Sequence, residues 1–153
     1  MHILRKAVAL SLIAGLGLAG AVAQAAADPI ATRQAIMSSV GAAAGLGGGM
    51  MKGEIAYTPA AGKAAITTMR AASLSYGNFF PAGSDHASSD AADAVWNDAE
   101  GFAAQLAKFA VAAAAAAEAS GKSGPADIDA FKAVFGPVLG TCKSCHETYR
   151  KQN

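Results

Sequence analysis

Strand signals are almost absent from this 153-residue sequence. No stretch alternates cleanly between apolar and polar residues, β-branched residues are few and alanine dominates, so sheet-built folds are excluded and an all-α chain is expected. An excess of charge of one sign is missing too. The 12 Lys and Arg stand against 11 Asp and Glu, which excludes the basic footprint that nucleic-acid binding requires. Cysteine is scarce: Cys142 and Cys145 are the only two, accompanied by His2, His86 and His146. A zinc site usually brings a second Cys/His pair, and none exists here. A thioredoxin-like use of the cysteines expects a βαβ setting, which the sequence also lacks.

One long apolar run stands out, from Ala7 to Val22, preceded by Arg5 and Lys6 and followed by the small residues Ala23-Gln24-Ala25. No stop-transfer pattern follows, so the run reads as a secretory signal peptide over residues 1–25, with cleavage after Ala25 and Ala26 or Ala27 as alternatives. Losing Arg5 and Lys6 takes the 12 basic residues to 10 against 11 acidic. Residues 26–153 are then one exported, near-neutral domain with a single core and no membrane span. Export points to the periplasm, an oxidising compartment where a lone cysteine pair would form a disulfide unless another chemistry claims it.

Punctuation divides the mature chain into four helical segments. Asp28-Pro29 opens the first, expected to about Met51, with Ile30, Arg33, Met37, Val40 and Ala44 on one inward stripe. Its Gly47-Gly48-Gly49 run marks a bend, a helix end or the close approach of a neighbour. Thr58-Pro59 opens the second, with Ile66, Met69, Ser73, Tyr76 and Phe80 on a stripe that ends at Pro81. A small, polar loop follows, and its His86 has nothing converging on it. The third is expected from about Ala91 to Ser120, carrying Trp96, Phe102, Leu106, Phe109 and Ala113. Its alanine tract, broken by Gln105, Lys108 and Glu118, suits a packed soluble helix. In the fourth, Ile128, Phe131, Phe135, Val138, Cys142, Cys145 and Tyr149 recur at three- and four-residue steps, an unbroken apolar seam. Pro137 is expected to kink or interrupt it. The architecture implied is an antiparallel four-helix bundle.

Cys142-Lys143-Ser144-Cys145-His146 is C-x-x-C-H, the attachment signature of c-type haem. At about 100° per residue, Cys142 lies between Cys145, about 60° to one side, and His146, about 40° to the other. Two thiols and one imidazole therefore share a face. The thiols can add across the two vinyl groups of one haem while His146 reaches its iron as the proximal ligand. Both cysteines lie on the apolar seam, so the haem is expected inside the bundle.

With this motif near the C-terminus of the fourth segment, the chain resembles the class II c-type cytochromes, and among them cytochrome c′. The resemblance is carried by Thr32 to Met37, Met50 to Glu54, Phe80 to Ser84, Val95-Trp96, Phe135-Gly136-Pro137 and Cys142 to Arg150. It implies that Arg33 and Gln34 lie beside the haem propionates, where an arginine fork suits a carboxylate. It places Met37 opposite the vacant side of a five-coordinate iron, with Phe79 or Phe80 walling that pocket and Arg150 close to the proximal imidazole. It further implies a homodimer formed through the first two helices, for which Gly41 to Ala44 offer the small contact residues.

The function implied is a periplasmic haem protein that binds nitric oxide, and carbon monoxide as well, and exchanges single electrons with a redox partner the sequence does not identify. A pocket lined by Met37 and Phe79 or Phe80 offers no hydrogen-bond donor, which disfavours oxygen more than nitric oxide. A second reading of the same fold makes the Met37 sulfur a sixth ligand, giving a low-spin electron carrier. A third, from another class, is a thiol oxidoreductase using the C-x-x-C pair. A peroxidase is disfavoured because no acid–base histidine or arginine accompanies Met37. Covalent haem predicts a purified protein that stays red after denaturation and shows no titratable thiols; a colourless protein with two reactive thiols would favour the thiol chemistry.

Overall fold

The computed structural model describes residues 28–152, and the signal-peptide reading of 1–25 lies outside them. The helices are α1 (Pro29–Lys52), α2 (Pro59–Ser75), α3 (Ala94–Asn97), α4 (Ala99–Ala119) and α5 (Ile128–Tyr149), with a 3₁₀ turn at Tyr76–Phe79. α1, α2, α4 and α5 form the four-helix bundle, α2 packing between α1 and α4, and α4 packing on α5. Each long helix starts on a side-chain cap that satisfies an otherwise orphaned amide. Asp28 accepts from Ile30 N at 2.8 Å, Thr58 from Ala61 N at 3.1 Å, Asp98 from Gly101 N at 3.1 Å and Asp127 from Ala130 N at 2.8 Å. α1 stops at Gly53, whose φ of 79° closes the helix in the left-handed conformation.

The core follows the seam of α5. Phe131, Phe135 and Val138 are fully buried together with Met50, Ile66 and Met69, and the rings of Phe131 and Phe135 stack at 4.8 Å. The glycine run of α1 serves close approach rather than a bend. A Cβ on Gly47 would collide with the ring of Phe135, and one on Gly49 with Ile55, whereas Gly48 faces open space. α1 and α5 therefore touch at one end. At the other end, residues 30–44 of α1 and 141–150 of α5 stand on facing walls of a cavity.

Three sequence expectations are corrected. The third segment is not one helix from Ala91: Ala91 pairs with Arg150 in an isolated antiparallel bridge, α3 is a single turn, and Asp98 leaves helical geometry at φ −129°, ψ 59°. The cause is local, because Asp98 spends its carboxylate on capping α4 and so breaks the chain before it. The second segment gives up α-helical geometry after Ser75 and reaches Phe79 as a 3₁₀ turn. Of the kink or interruption expected at Pro137, the interruption does not occur: α5 runs through it. Burial of Phe131, Phe135 and Val138 on both sides offsets the missing backbone bond.

α4 is long and apolar enough to cross a membrane by length and composition, yet here it is a bundle helix. It buries Phe102, Ala113 and Ala116 against its neighbours.

Gly47→Ala is expected to destabilise the fold by about 1–3 kcal/mol through overpacking against Phe135. Gly48→Ala, in open space, is expected to stabilise it by about 0.5–1 kcal/mol. Urea unfolding of the two variants compares them directly.

Candidate haem site

Four elements meet around one cavity of about 420 Å³. α1 contributes Ile30, Arg33, Gln34, Met37, Val40 and Ala44, the inward stripe of the first segment plus Gln34. The turn after α2 brings Tyr76 and Phe80, α4 brings Phe102, Leu106 and Phe109, and α5 brings Cys142, Cys145, His146, Tyr149 and Arg150. Aromatic packing makes one wall rigid: Phe80 meets Tyr76 edge-on at 5.0 Å and Phe102 at 4.8 Å. The two thiols, the imidazole and the Met37 thioether thus face the same space.

The donor chemistry suits haem c. Both cysteines are unpaired and half-buried. Burial pushes both thiols up, more than the hydrogen bonds at Cys142 pull down, and the neighbouring Cys142 adds to the rise at Cys145. Such thiols make poor thiolates, which counts against exchange chemistry. His146 is shifted the other way: burial first, and then the charge of Arg150, lower its pKa. A neutral imidazole with a free lone pair is the form that binds metal.

Of the two phenylalanines weighed for the pocket, Phe80 lines the cavity, while Phe79 contributes its carbonyl to Arg33. Gln34 lies at the rim, exposed, and donates to Ser88 O at 3.1 Å. Arg33 is buried, 3% exposed. Its Nη1 donates to Phe79 O at 2.7 Å and Ser84 Oγ at 2.9 Å, and its Nη2 to Ser84 O at 2.8 Å and Ser89 Oγ at 2.7 Å. The guanidinium also lies 4.7 Å from the Phe80 ring centre. Four of the five N–H donors of an arginine therefore hold the loop after α2, a role its place on the stripe does not announce. Arg150 ends α5 in extended geometry beside the cavity mouth.

Several site residues escape a reading of the sequence alone. Ser84 and Ser89 are buried acceptors for Arg33; the only hint is an arginine on an inward stripe that must find partners somewhere. Tyr149 fits the expectation of packing, being 7% exposed against Phe102, but its hydroxyl also donates to Asp98 Oδ2 at 2.7 Å. Gly101 lies beneath that bond, and a Cβ there would collide with both oxygens. Tyr76 places a hydroxyl in a cavity expected to offer no donor. Burial, aided by Cys145 and Asp90 and opposed by Arg33, pushes its pKa up to about 12, so the phenol stays protonated.

A helical bundle whose last helix turns C-x-x-C-H into an apolar cavity defines a haem-c protein of the class that carries its attachment motif at the C-terminal end. Comparison with known proteins agrees. The cytochrome c′ family model matches residues 28–150, and the chain belongs to that family. A cytochrome c′ of Rhodopseudomonas palustris is 37% identical over 92% of this chain and 94% of its own length. A cytochrome c-556 of Agrobacterium fabrum is 31% identical over 95% and 94%. The structure of the R. palustris protein superposes with a TM-score of 0.73 at 33% identity, covering 82% of this chain and 98% of that one. A carbon monoxide-bound variant of the Alcaligenes xylosoxidans protein does so at 0.70 and 27%, over 82% and 95%. Cytochrome c′ homologues bind covalent haem c, and haem c is the cofactor of this chain.

The folded pKa of Tyr76, about 12, lies above its ordinary value of 10.0, so on raising the pH the unfolded chain loses its proton first. The tyrosine thus costs stability between about pH 10 and pH 12 and nothing below. In Tyr76→Phe the loss of stability from about pH 9 to about pH 11, read from urea midpoints, is expected to be smaller by about 1 kcal/mol.

Proposed function

We propose that this chain is a periplasmic, five-coordinate haem protein that binds nitric oxide and carbon monoxide and exchanges single electrons with a periplasmic redox partner. The observation that carries the reading is the placement of His146 and Met37 on one cavity whose α1 wall near Met37 is built from Val40, Gly41 and Ala44. Haem c supplies an iron centre that can take a diatomic gas or change its charge by one electron. The chain does the rest. Cys142 and Cys145 would tether the group, and His146 would present a neutral imidazole to the iron. Arg33, held by the loop after α2, and Gln34 would stand on the propionate side, and Arg150 would sit beside the proximal ligand. With haem c bound, Met37 would wall the side across from His146, and Phe80, packed on Phe102, would flank it, a setting that a neutral gas would enter more readily than a charged or strongly hydrated ligand. The carbon monoxide complex of the Alcaligenes relative supports gas binding, and the leader-like N-terminus supports export. Binding and electron exchange, rather than turnover of a substrate, account for the site.

The second reading rests on the same thioether. Met37 lies on the cavity that His146 lines, and relatives of the chain carry both the c′ and the c-556 names. A Met37–iron bond would make the protein a low-spin carrier. A homodimer is also proposed, through α1 and α2, which leave an open groove between them lined by Ile36, Ala64, Thr67 and Ala71. The residues first marked for that contact divide differently: Ala43 is buried in the core, Gly41 and Ala44 line the haem cavity, and Ala42 is exposed.

Ferric and ferrous absorption spectra with and without gas test the function. A high-spin spectrum that changes with nitric oxide and with carbon monoxide is expected, and an unchanged spectrum at saturating gas would sink the proposal. Met37→Ala is expected to raise carbon monoxide affinity about tenfold by opening the wall. Loss of a sulfur-to-iron charge-transfer band in that variant would establish the six-coordinate reading instead.

A further inference from the structure

α5 ends without a cap of its own. Arg150 is extended at φ −114°, ψ 138°, so the last carbonyls of the helix must find donors elsewhere. Tyr149 O accepts from Ala92 N at 3.0 Å, and Lys151 N donates to Asp90 O at 2.8 Å, flanking the bridge between Ala91 and Arg150. The amide of Gln152 covers His146 O at 2.9 Å and Arg150 O at 3.1 Å. The turn that carries His146 is thus closed from two sides, locally by Gln152 and at its end by residues 90–92 of a distant segment, residues 84–92, laid across it like a strap. One isolated bridge is too short to hold that segment by itself.

Ser89 holds it. The residue is 3% exposed, and its polar atoms serve both sides of the cavity. Ser89 Oγ accepts from Arg33 Nη2 at 2.7 Å and from Ala91 N at 3.1 Å, while Ser89 O accepts from Lys151 Nζ at 2.7 Å. Two of those donors are cations, which form the stronger class of hydrogen bond. Ser89 N donates to His86 O at 2.8 Å, fixing the strap within itself. Through this residue α1, which bears Met37, is tied to the tail of α5, which bears His146.

We propose that Ser89 is a positioning residue for His146, locking the strap between Arg33 and Lys151 and so setting the placement of the imidazole relative to α1. The inference rests on the reading of His146 as the axial ligand. Without its hydroxyl, one buried Arg33 N–H loses its acceptor and Ala91 N loses its partner at the bridge. The strap loosens where it meets α5, and the histidine turn gains freedom. A residue that merely packed would lower stability and leave the imidazole where it was.

The test uses the haem-loaded protein. In Ser89→Ala, the iron–histidine stretching band of the ferrous form, read by resonance Raman, is expected to shift and broaden. The amides of Ala92 and Lys151 are expected to exchange about tenfold faster. Lys151→Met cuts the same tie from the α5 side without touching Arg33 and is expected to do the same; it decides alone if Ser89→Ala does not fold. Tyr57→Phe, which removes a hydrogen bond to Pro125 O away from the cavity, is expected to leave band and exchange unchanged. A band at the wild-type position in both strap variants overturns the proposal, whatever the melting temperature does. A wild-type protein with no iron–histidine band overturns the five-coordinate reading instead. The exchange measurement, which does not depend on coordination, then decides: wild-type rates at Ala92 and Lys151 in the variants overturn the role of Ser89.

Discussion

The contact of Gly47 with the ring of Phe135 decides how this bundle is divided. Two helices whose facing residues were large along their whole length would pack evenly and leave no interior space. Here the backbone of α1 comes against an aromatic ring at one end, and α5 fills the core with Phe131, Phe135 and Val138. At the other end α5 presents thiols, an imidazole and small residues, and the helices part around the cavity. The same seam serves as core and as cofactor wall, and the change comes between Val138 and Cys142.

The open end has a small core of its own in Val95, Phe102 and Tyr149, but the polar loop after α2 needs a further fastening. A buried guanidinium provides it. Arg33 lies under the aromatic cluster of Phe80 and Trp96 and has neutral oxygens as its hydrogen-bond acceptors among the described residues. Hydrogen bonds from a charged donor are worth roughly 1.5–3 kcal/mol each, enough to hold a polar loop that buries little apolar surface. The loop after α2 and α1 thus share one charge, already committed to structure.

What could be read from the sequence follows from how local each cause is. The seam of α5 and the stripe from Ile30 to Ala44 depend on helical periodicity alone, and both land on the walls expected of them. Cap residues such as Asp28 and Thr58 act within three positions, so helix starts were legible as well. The break at Asp98 was not, because an aspartate inside an alanine-rich stretch can cap a helix or sit on its surface; here one carboxylate oxygen caps Gly101 N while the other accepts from Tyr149, some fifty residues away. Pro137 misled for the opposite reason: its local penalty is real, but burial on both sides outweighs it. The partners of Arg33 could not be read at all, since Ser84 and Ser89 lie some fifty residues away in a loop with no periodicity.

The hydrogen bond between Tyr149 and Asp98, lying over Gly101, couples the end of α5 to two positions at the start of α4. A methyl group at 101 meets the carboxylate and the phenol together, and either oxygen alone lies close enough to exclude it. Phenylalanine at 149 would therefore still leave a Cβ at 101 against the Asp98 carboxylate, and a side chain at 101 demands that both the carboxylate and the phenol give way.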